Sequence, residues 1–198
     1  MPADATGVVL DISVVDPSGD GYVRLAPTGT APTTTALNYT SGQSVTGLAL
    51  TRTHNGSLTV SIAGNPTQLV LDVIGYYDAG SSSGSSYVAT TPQRFLDTRG
   101  GMGATGPGRG PLTVSLPASV PAGATGVVID VSVLSANGKG YLRLSAPGET
   151  PTTTSLNFLA GQNTTGLALS AIRNGQITLT VYGATTQLVA DLIGYQTG

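Results

Sequence analysis

Three charged positions recur when the chain is laid over itself at a shift of 119 residues: Asp11 with Asp130, Arg24 with Arg143, and Asp72 with Asp191. The other charges drift, and Asp20 even aligns with Lys139. Each of these aspartates sits inside an apolar run, as in Gly-Val-Val-Leu-Asp-Ile-Ser-Val-Val and Leu-Val-Leu-Asp-Val-Ile-Gly-Tyr. An unpaired carboxylate in such surroundings is costly, so each pair needs a partner. The candidates are Arg24 or Arg143 within the repeat, and Arg94 or Arg99 in Gln-Arg-Phe-Leu-Asp-Thr-Arg-Gly-Gly. A planar guanidinium suits the task because it can grip carboxylates and carbonyls together. The favoured reading is a structural polar network of Asp11, Asp72, Asp130, Asp191, Arg94 and Arg99. Calcium is a minor alternative, since two carboxylates are thin for an ion wanting about six to eight oxygens. A glycosidase-like acid/base pair is weaker still, because carboxylate spacing would be its whole case. No other metal or cofactor is expected.

A second pair of side chains could hold a ligand. Tyr22 and Arg24 alternate with Val23 and Leu25 and so share one strand face; Tyr141 and Arg143 repeat them. A ring beside a guanidinium can stack on a sugar or peptide while the cation donates fixed hydrogen bonds. The competing reading is a cross-strand Tyr–Arg pair that only shields the sheet.

Catalysis finds little support. His54, the only histidine, precedes a hairpin Asn-Gly, and Arg173 takes its place in the second copy. There is no GxSxG, HExxH or P-loop. The glycine-rich Gly-Gly-Met-Gly-Ala-Thr-Gly-Pro-Gly-Arg-Gly lies between strands and reads as a loop rather than a phosphate cradle. No catalytic residue is assigned, and the chain reads as a non-enzyme. A net charge of −2 with scattered cations gives no nucleic-acid footprint. No apolar run approaches the roughly 18 residues of a membrane helix, so no membrane insertion is expected. The chain shows no secretory leader with a basic start and apolar core. With no cysteine, disulfides and thiolate metal sites are excluded.

The elements that must position these side chains are β-strands. Strand signals recur about every 8–12 residues between Gly, Pro, Asn and Asp, as in sandwiches and barrels. They fall at 7–15, 22–26, 33–39, 46–53, 57–63 and 67–76, and again 119 residues later. Two more lie at 94–98 and 112–116. His54-Asn55-Gly56 and Arg173-Asn174-Gly175 read as type I′ hairpin turns. Leu58, Val60 and Ile62 form a core face, as do Ile177, Leu179 and Val181. Thr35, Leu37 and Tyr39 share a face with Thr154, Leu156 and Phe158 as their repeats, and the threonines of Pro-Thr-Thr-Thr read as strand formers. The first and last strands of the repeat are apolar on both faces, so a cover is expected over Val9, Asp11, Val70 and Asp72.

The expected fold is therefore all-β, with two similar antiparallel β-sandwich or barrel-like lobes. Residues 1–79 form an incomplete first repeat, 80–86 a Gly/Ser linker, and 87–198 a complete second repeat. The first repeat carries six Asp against two Arg, a net of −4, while residues 80–120 carry three Arg against one Asp, a net of +2. That contrast favours residues 87–120 bridging both lobes, with another copy as the alternative cover for the first repeat.

The motifs Thr-Pro-Gln-Arg-Phe-Leu-Asp-Thr-Arg-Gly-Gly, Val-Pro-Ala-Gly-Ala-Thr-Gly-Val-Val-Ile-Asp-Val, Gly-Tyr-Leu, Leu-Asn-Phe-Leu-Ala-Gly-Gln and Asp-Leu-Ile-Gly-Tyr occur in this order. Together they resemble a tandem repeat of secreted and cell-surface proteins of actinobacteria and some other bacteria. The likeness covers nearly the whole chain. Departures are Phe95 for the family's usual Leu, and Asp11 and Asp130 where Asn is frequent. The resemblance implies a secreted or cell-surface, non-catalytic module for adhesion, spacing or wall association. Its partners would be cell-wall or other extracellular glycans, or further copies of itself. A carbohydrate-binding module with a Tyr/Arg platform is one alternative function, and a self-assembling fibre or sheath subunit another.

Overall fold

A computed structural model describes residues 1–78 and 84–198. Thirteen strands follow in chain order: β1 Gly7–Val15, β2 Gly21–Pro27, β3 Thr35–Tyr39, β4 Val45–Arg52, β5 Leu58–Gly64, β6 Gln68–Tyr77, β7 Ser86–Asp97, β8 Gly108–Ser115, β9 Ala124–Leu134, β10 Gly140–Ser145, β11 Leu156–Phe158, β12 Thr164–Ala171 and β13 Gln176–Thr197. No helix forms among the described residues. All strand pairs are antiparallel. The chain divides into two compact units, Met1–Ser82 and Ser83–Gly198.

The first unit holds two three-stranded sheets, ordered β4-β1-β6 and β3-β2-β5. Alternation along β1 and β2 sends Val8, Leu10, Ile12, Val14, Val23 and Leu25 into one core, closed by Tyr39 and Ala49. The second unit repeats both sheets and widens each by one strand. Its β12-β9 and β11-β10 pairs match β4-β1 and β3-β2, and the long β13 runs through both layers. The first half of β13 carries β10 and β8; its second half carries β9 and β7. Seven strands thus form one nearly closed, barrel-like sheet around a core that includes Ile129, Leu142, Ile177, Leu188 and Leu192.

Local chemistry explains where the units agree and where they part. Asn55 and Gly56 have φ of 50° and 66°, and Asn174 and Gly175 have 53° and 68°, the two positive angles of a type I′ hairpin. Gly64 and Gly183 sit at φ of 95° and 86°, and a Cβ there would meet the Asp20 or Lys139 carbonyl oxygen at 2.5 Å. After this glycine the first unit has Asn65-Pro66 and breaks into β5 and β6. The second unit has Ala184-Thr185, which keep both N–H groups, and the strand continues without interruption.

Several expectations need correction. Of the threonines of Pro-Thr-Thr-Thr only Thr35 forms strand, opposite Arg24; Thr33, Thr34 and Thr152–154 lie outside the strands. Tyr39 and Phe158 are buried as expected, whereas Thr35 is exposed. Leu58, Val60 and Ile62 do not make a closed core face; they are half-buried or exposed, while Ile177, Leu179 and Val181 are fully buried. The difference follows from β8, which lies beside the second set and has no counterpart beside β5. The anticipated cover is likewise uneven, since Val9 and Asp11 are buried but Val70 is exposed. The linker at 80–86 ends earlier than expected, because Ser86 already belongs to β7; residues 79–83 lie outside the described residues. Residues 87–120, expected as a bridge, form β7 and β8, and both pair with β13 in their own unit.

Candidate functional site: two carboxylate pairs and a tyrosine–arginine face

Strand register brings each aspartate pair together. Asp11 lies opposite Asp72 on β1 and β6, and Asp130 lies opposite Asp191 on β9 and β13. Serine–threonine pairs flank them in both units: Ser13 and Thr46 are hydrogen-bonded at 2.6 Å, and Ser132 and Thr165 at 2.7 Å. The units differ in what stands on the far side. In the second, β7 places Arg94 opposite Asp191. Arg94 donates from Nε to one Asp191 oxygen at 2.9 Å and from Nη2 to the other at 3.1 Å, a bidentate grip. Its Nη1 also lies 3.7 Å from Asp97. In the first unit, no salt bridge reaches Asp11 or Asp72 among the described residues. Burial, reinforced by the neighbouring charge of Asp72, pushes the Asp11 carboxyl up to about 7.

The Asp-Thr-Arg stretch after Arg94 is a fastening. Arg99 donates to both Asp97 oxygens, at 2.9 and 2.7 Å, and these bonds hold the Asp97 carboxyl down at about 2. Arg99 thus serves Asp97 and not the Asp130–Asp191 pair. Thr98 is buried; its hydroxyl bonds Gln187 and accepts the Leu188 N–H at 2.9 Å. Together these contacts seat β7 on β13. The glycine-rich loop then turns through Gly101, Gly103 and Gly106 at positive φ and delivers β8.

Arg24 and Arg143 take no part in either carboxylate pair; they lie on β2 and β10, not on the strands that carry the pairs. The Arg24 guanidinium sits 4.6 Å from the Tyr22 ring centre, and Arg143 sits 5.1 Å from Tyr141. Their Nε atoms are buried without a hydrogen-bond partner, consistent with charge spent on the ring face. The second unit adds to this arrangement. Tyr182, opposite Tyr141 on β13, stacks on it at 4.8 Å between centres and 15° between planes, and Arg143 lies 5.4 Å from its ring too. In the first unit the residue opposite Tyr22 is Ala63, so no stack forms.

Beside this stack lies an open groove of about 740 Å³. It is lined by Arg109, Pro111 and Thr113 of β8, by the loop Gly148–Pro151, and by Thr178, Thr180 and Tyr182 of β13. Two arginines pin that loop. Arg143 donates to the Pro151 carbonyl at 3.2 Å, and Arg173 donates to the Pro147 carbonyl at 2.6 Å and to Glu149 at 2.8 Å. His54 stands where the first unit would need Arg173; it is exposed at its hairpin tip. The sequence did not single out Tyr182, Arg109, Glu149, Thr178 and Thr180 as a site. Among the described residues no cluster of three or more acidic or histidine side chains assembles for a cation.

No family model and no curated relative matches the chain. Among solved structures, a fucolectin from striped bass (Morone saxatilis) serum is similar at 9% identity, over 99% of this chain and 84% of that one, with a TM-score of 0.22. A score that low carries no argument about fold or ligand.

Proposed function

We propose that this chain is an extracellular, non-catalytic adhesion module and that the outer face of β8, β10 and β13 contacts glycan. The observation behind the reading is the groove beside Tyr182 and Arg143. It is open and lined by Thr113, Thr178 and Thr180, with an exposed carboxylate at Glu149, a guanidinium at Arg109 and the Tyr182 ring. A sugar offers hydroxyls to such groups and an apolar C–H face to a ring. The lining carboxylate, Glu149, is tied to Arg173, an arrangement that supports retention rather than turnover. The pinned loop keeps the walls in place before a ligand arrives, which lowers the ordering cost of binding.

The same reading covers the spacer role. The second unit pairs seven strands around one buried apolar core, and such a unit resists local opening. A glycan array of soluble and wall-derived oligosaccharides tests the proposal. Retention should fall on Tyr182→Ala and on Arg109→Ala, and not on His54→Ala. Absence of binding to any glycan class, or binding indifferent to both groove substitutions, would remove the reading. Contact with other copies is the second reading, favoured by the open flank of the first unit.

A further inference from the structure

The two units share one plan, and the second shows what the first lacks. In the second unit β8 flanks the first half of β13 and β7 flanks its second half. The corresponding strands of the first unit, β5 and β6, are sheet edges, each paired on one side only. The cost appears in matched side chains. Val70, Leu71 and Val73 are 45%, 38% and 57% exposed, whereas their counterparts Val189, Ala190 and Leu192 are 3%, 0% and 0% exposed. The core of the second unit includes Phe95, Leu96 and Val114, all from β7 and β8; nothing of that kind enters the first core among the described residues. An edge with free backbone groups and an apolar flank is a template for strand addition.

We infer that the first unit is a strand acceptor: the open flank of β5 and β6 takes a basic strand pair of the β7–β8 type, other than the pair engaged on β13. The register of the second unit fixes how it would seat. Arg94 opposite Asp191 becomes an incoming arginine opposite Asp72, which closes the Asp11–Asp72 pair as Arg94 closes its counterpart. Leu96 opposite Ala190 becomes a leucine beside Leu71, and Val114 opposite Ile177 a valine beside Leu58. Charge agrees, since a segment of net +2 would meet a unit of net −4. Charge also disfavours the simplest rival, two first units joined edge to edge, which would bring two −4 surfaces together and add more carboxylates to an uncompensated pair. The second unit's β7 and β8 are engaged on β13, so the donor is a further strand pair of the same chemistry. The inference does not depend on glycan binding, which belongs to the second unit.

The test uses the full 198-residue chain and a labelled synthetic peptide with the sequence of residues 86–116. Anisotropy should show saturable binding, and light scattering a 1:1 complex. Asp72→Asn removes a like charge and should leave the fold intact, yet it should weaken peptide binding about tenfold or more, because a charge-assisted bidentate bond is lost. A peptide carrying Arg94→Gln should lose as much on the unaltered chain, while Asp191→Asn in the chain should change nothing. Three results would overturn the inference: no saturable binding, binding sensitive to Asp191→Asn but not to Asp72→Asn, or a homodimer that the peptide fails to disperse.

Discussion

Asp11 and Asp72 face each other across β1 and β6 with no cation between or beside them among the described residues, whereas the same pair in the second unit, Asp130 and Asp191, is closed by Arg94. One arginine therefore separates a satisfied polar row from a strained one. The consequences for stability have a definite sign.

Burial and Asp72 raise the Asp11 carboxyl from 3.8 to about 7. A raised acid favours the folded state most when it is protonated in both states, below about pH 4. That contribution is lost as pH rises through the folded value near 7. The first unit should therefore lose stability between about pH 4 and pH 7 and change little beyond. Asp11→Asn should flatten this dependence and raise the midpoint at pH 8 by about 5–10 °C, corresponding to about 1–2 kcal/mol in a lobe of this size. Thermal unfolding followed by circular dichroism across that range checks it; an unchanged pH profile in Asp11→Asn would contradict it.

Arg94→Gln should weaken the second unit. Arg94 is 47% exposed at its side chain and Asp191 26%, so solvent screens the pair. The coupling in a double-mutant cycle with Asp191→Asn should be small but measurable, because the contact is bidentate although solvent-screened. Denaturant unfolding of the four proteins measures it, and a coupling of zero would show that β7 is held by Thr98 and apolar packing alone.

The two units should not melt together. The second has nineteen buried apolar residues in one cluster and the first has eight. Burial of apolar surface dominates folding free energy, so the first unit should unfold at the lower temperature. Calorimetry should resolve two transitions, with Leu10→Ala lowering the first and Leu188→Ala the second, each by several degrees. A single transition lowered equally by both substitutions would contradict this order.

Much of the architecture was legible in the residues. Alternating Val, Leu and Ile set off by Gly, Pro and Asn placed every strand of the first unit within two residues, because a half-buried strand must alternate and a type I′ turn demands positive φ; in the second unit β7 begins eight residues and β8 four residues before the expected starts, β11 begins four residues late, and two expected strands are the single β13. The recurring Asp pairs pointed to a polar row, and the register places Arg94 on one of them. Comparison of the copies also misled. It treated Leu58 and Ile177 as equivalents, although burial there depends on a neighbouring strand that only one copy possesses. It passed over Tyr182 because Ala63 stands at that place in the first copy. The ring and charges that mark the groove, Tyr182, Glu149 and Arg109, have no counterpart in the first copy, so comparison of the copies does not single them out. The Pro-Thr-Thr-Thr stretch misled for another reason: β-branched side chains favour strands, but no partner strand lies beside Thr152–154, and Arg143 instead ties the preceding carbonyl of Pro151.

The central claim, that this is a binding module working through the outer face of β8, β10 and β13, is tested most directly by co-sedimentation with insoluble cell-wall glycan. The unaltered chain and a Tyr141→Ala/Tyr182→Ala variant would be compared, with melting temperatures recorded for both. The account predicts saturable retention of the unaltered chain and at least a tenfold loss in the variant, with the second unit's strand signature in circular dichroism retained. Equal retention of the two proteins, or a variant that binds as before but melts far lower, would show that the tyrosine stack only shields the sheet and would contradict the account.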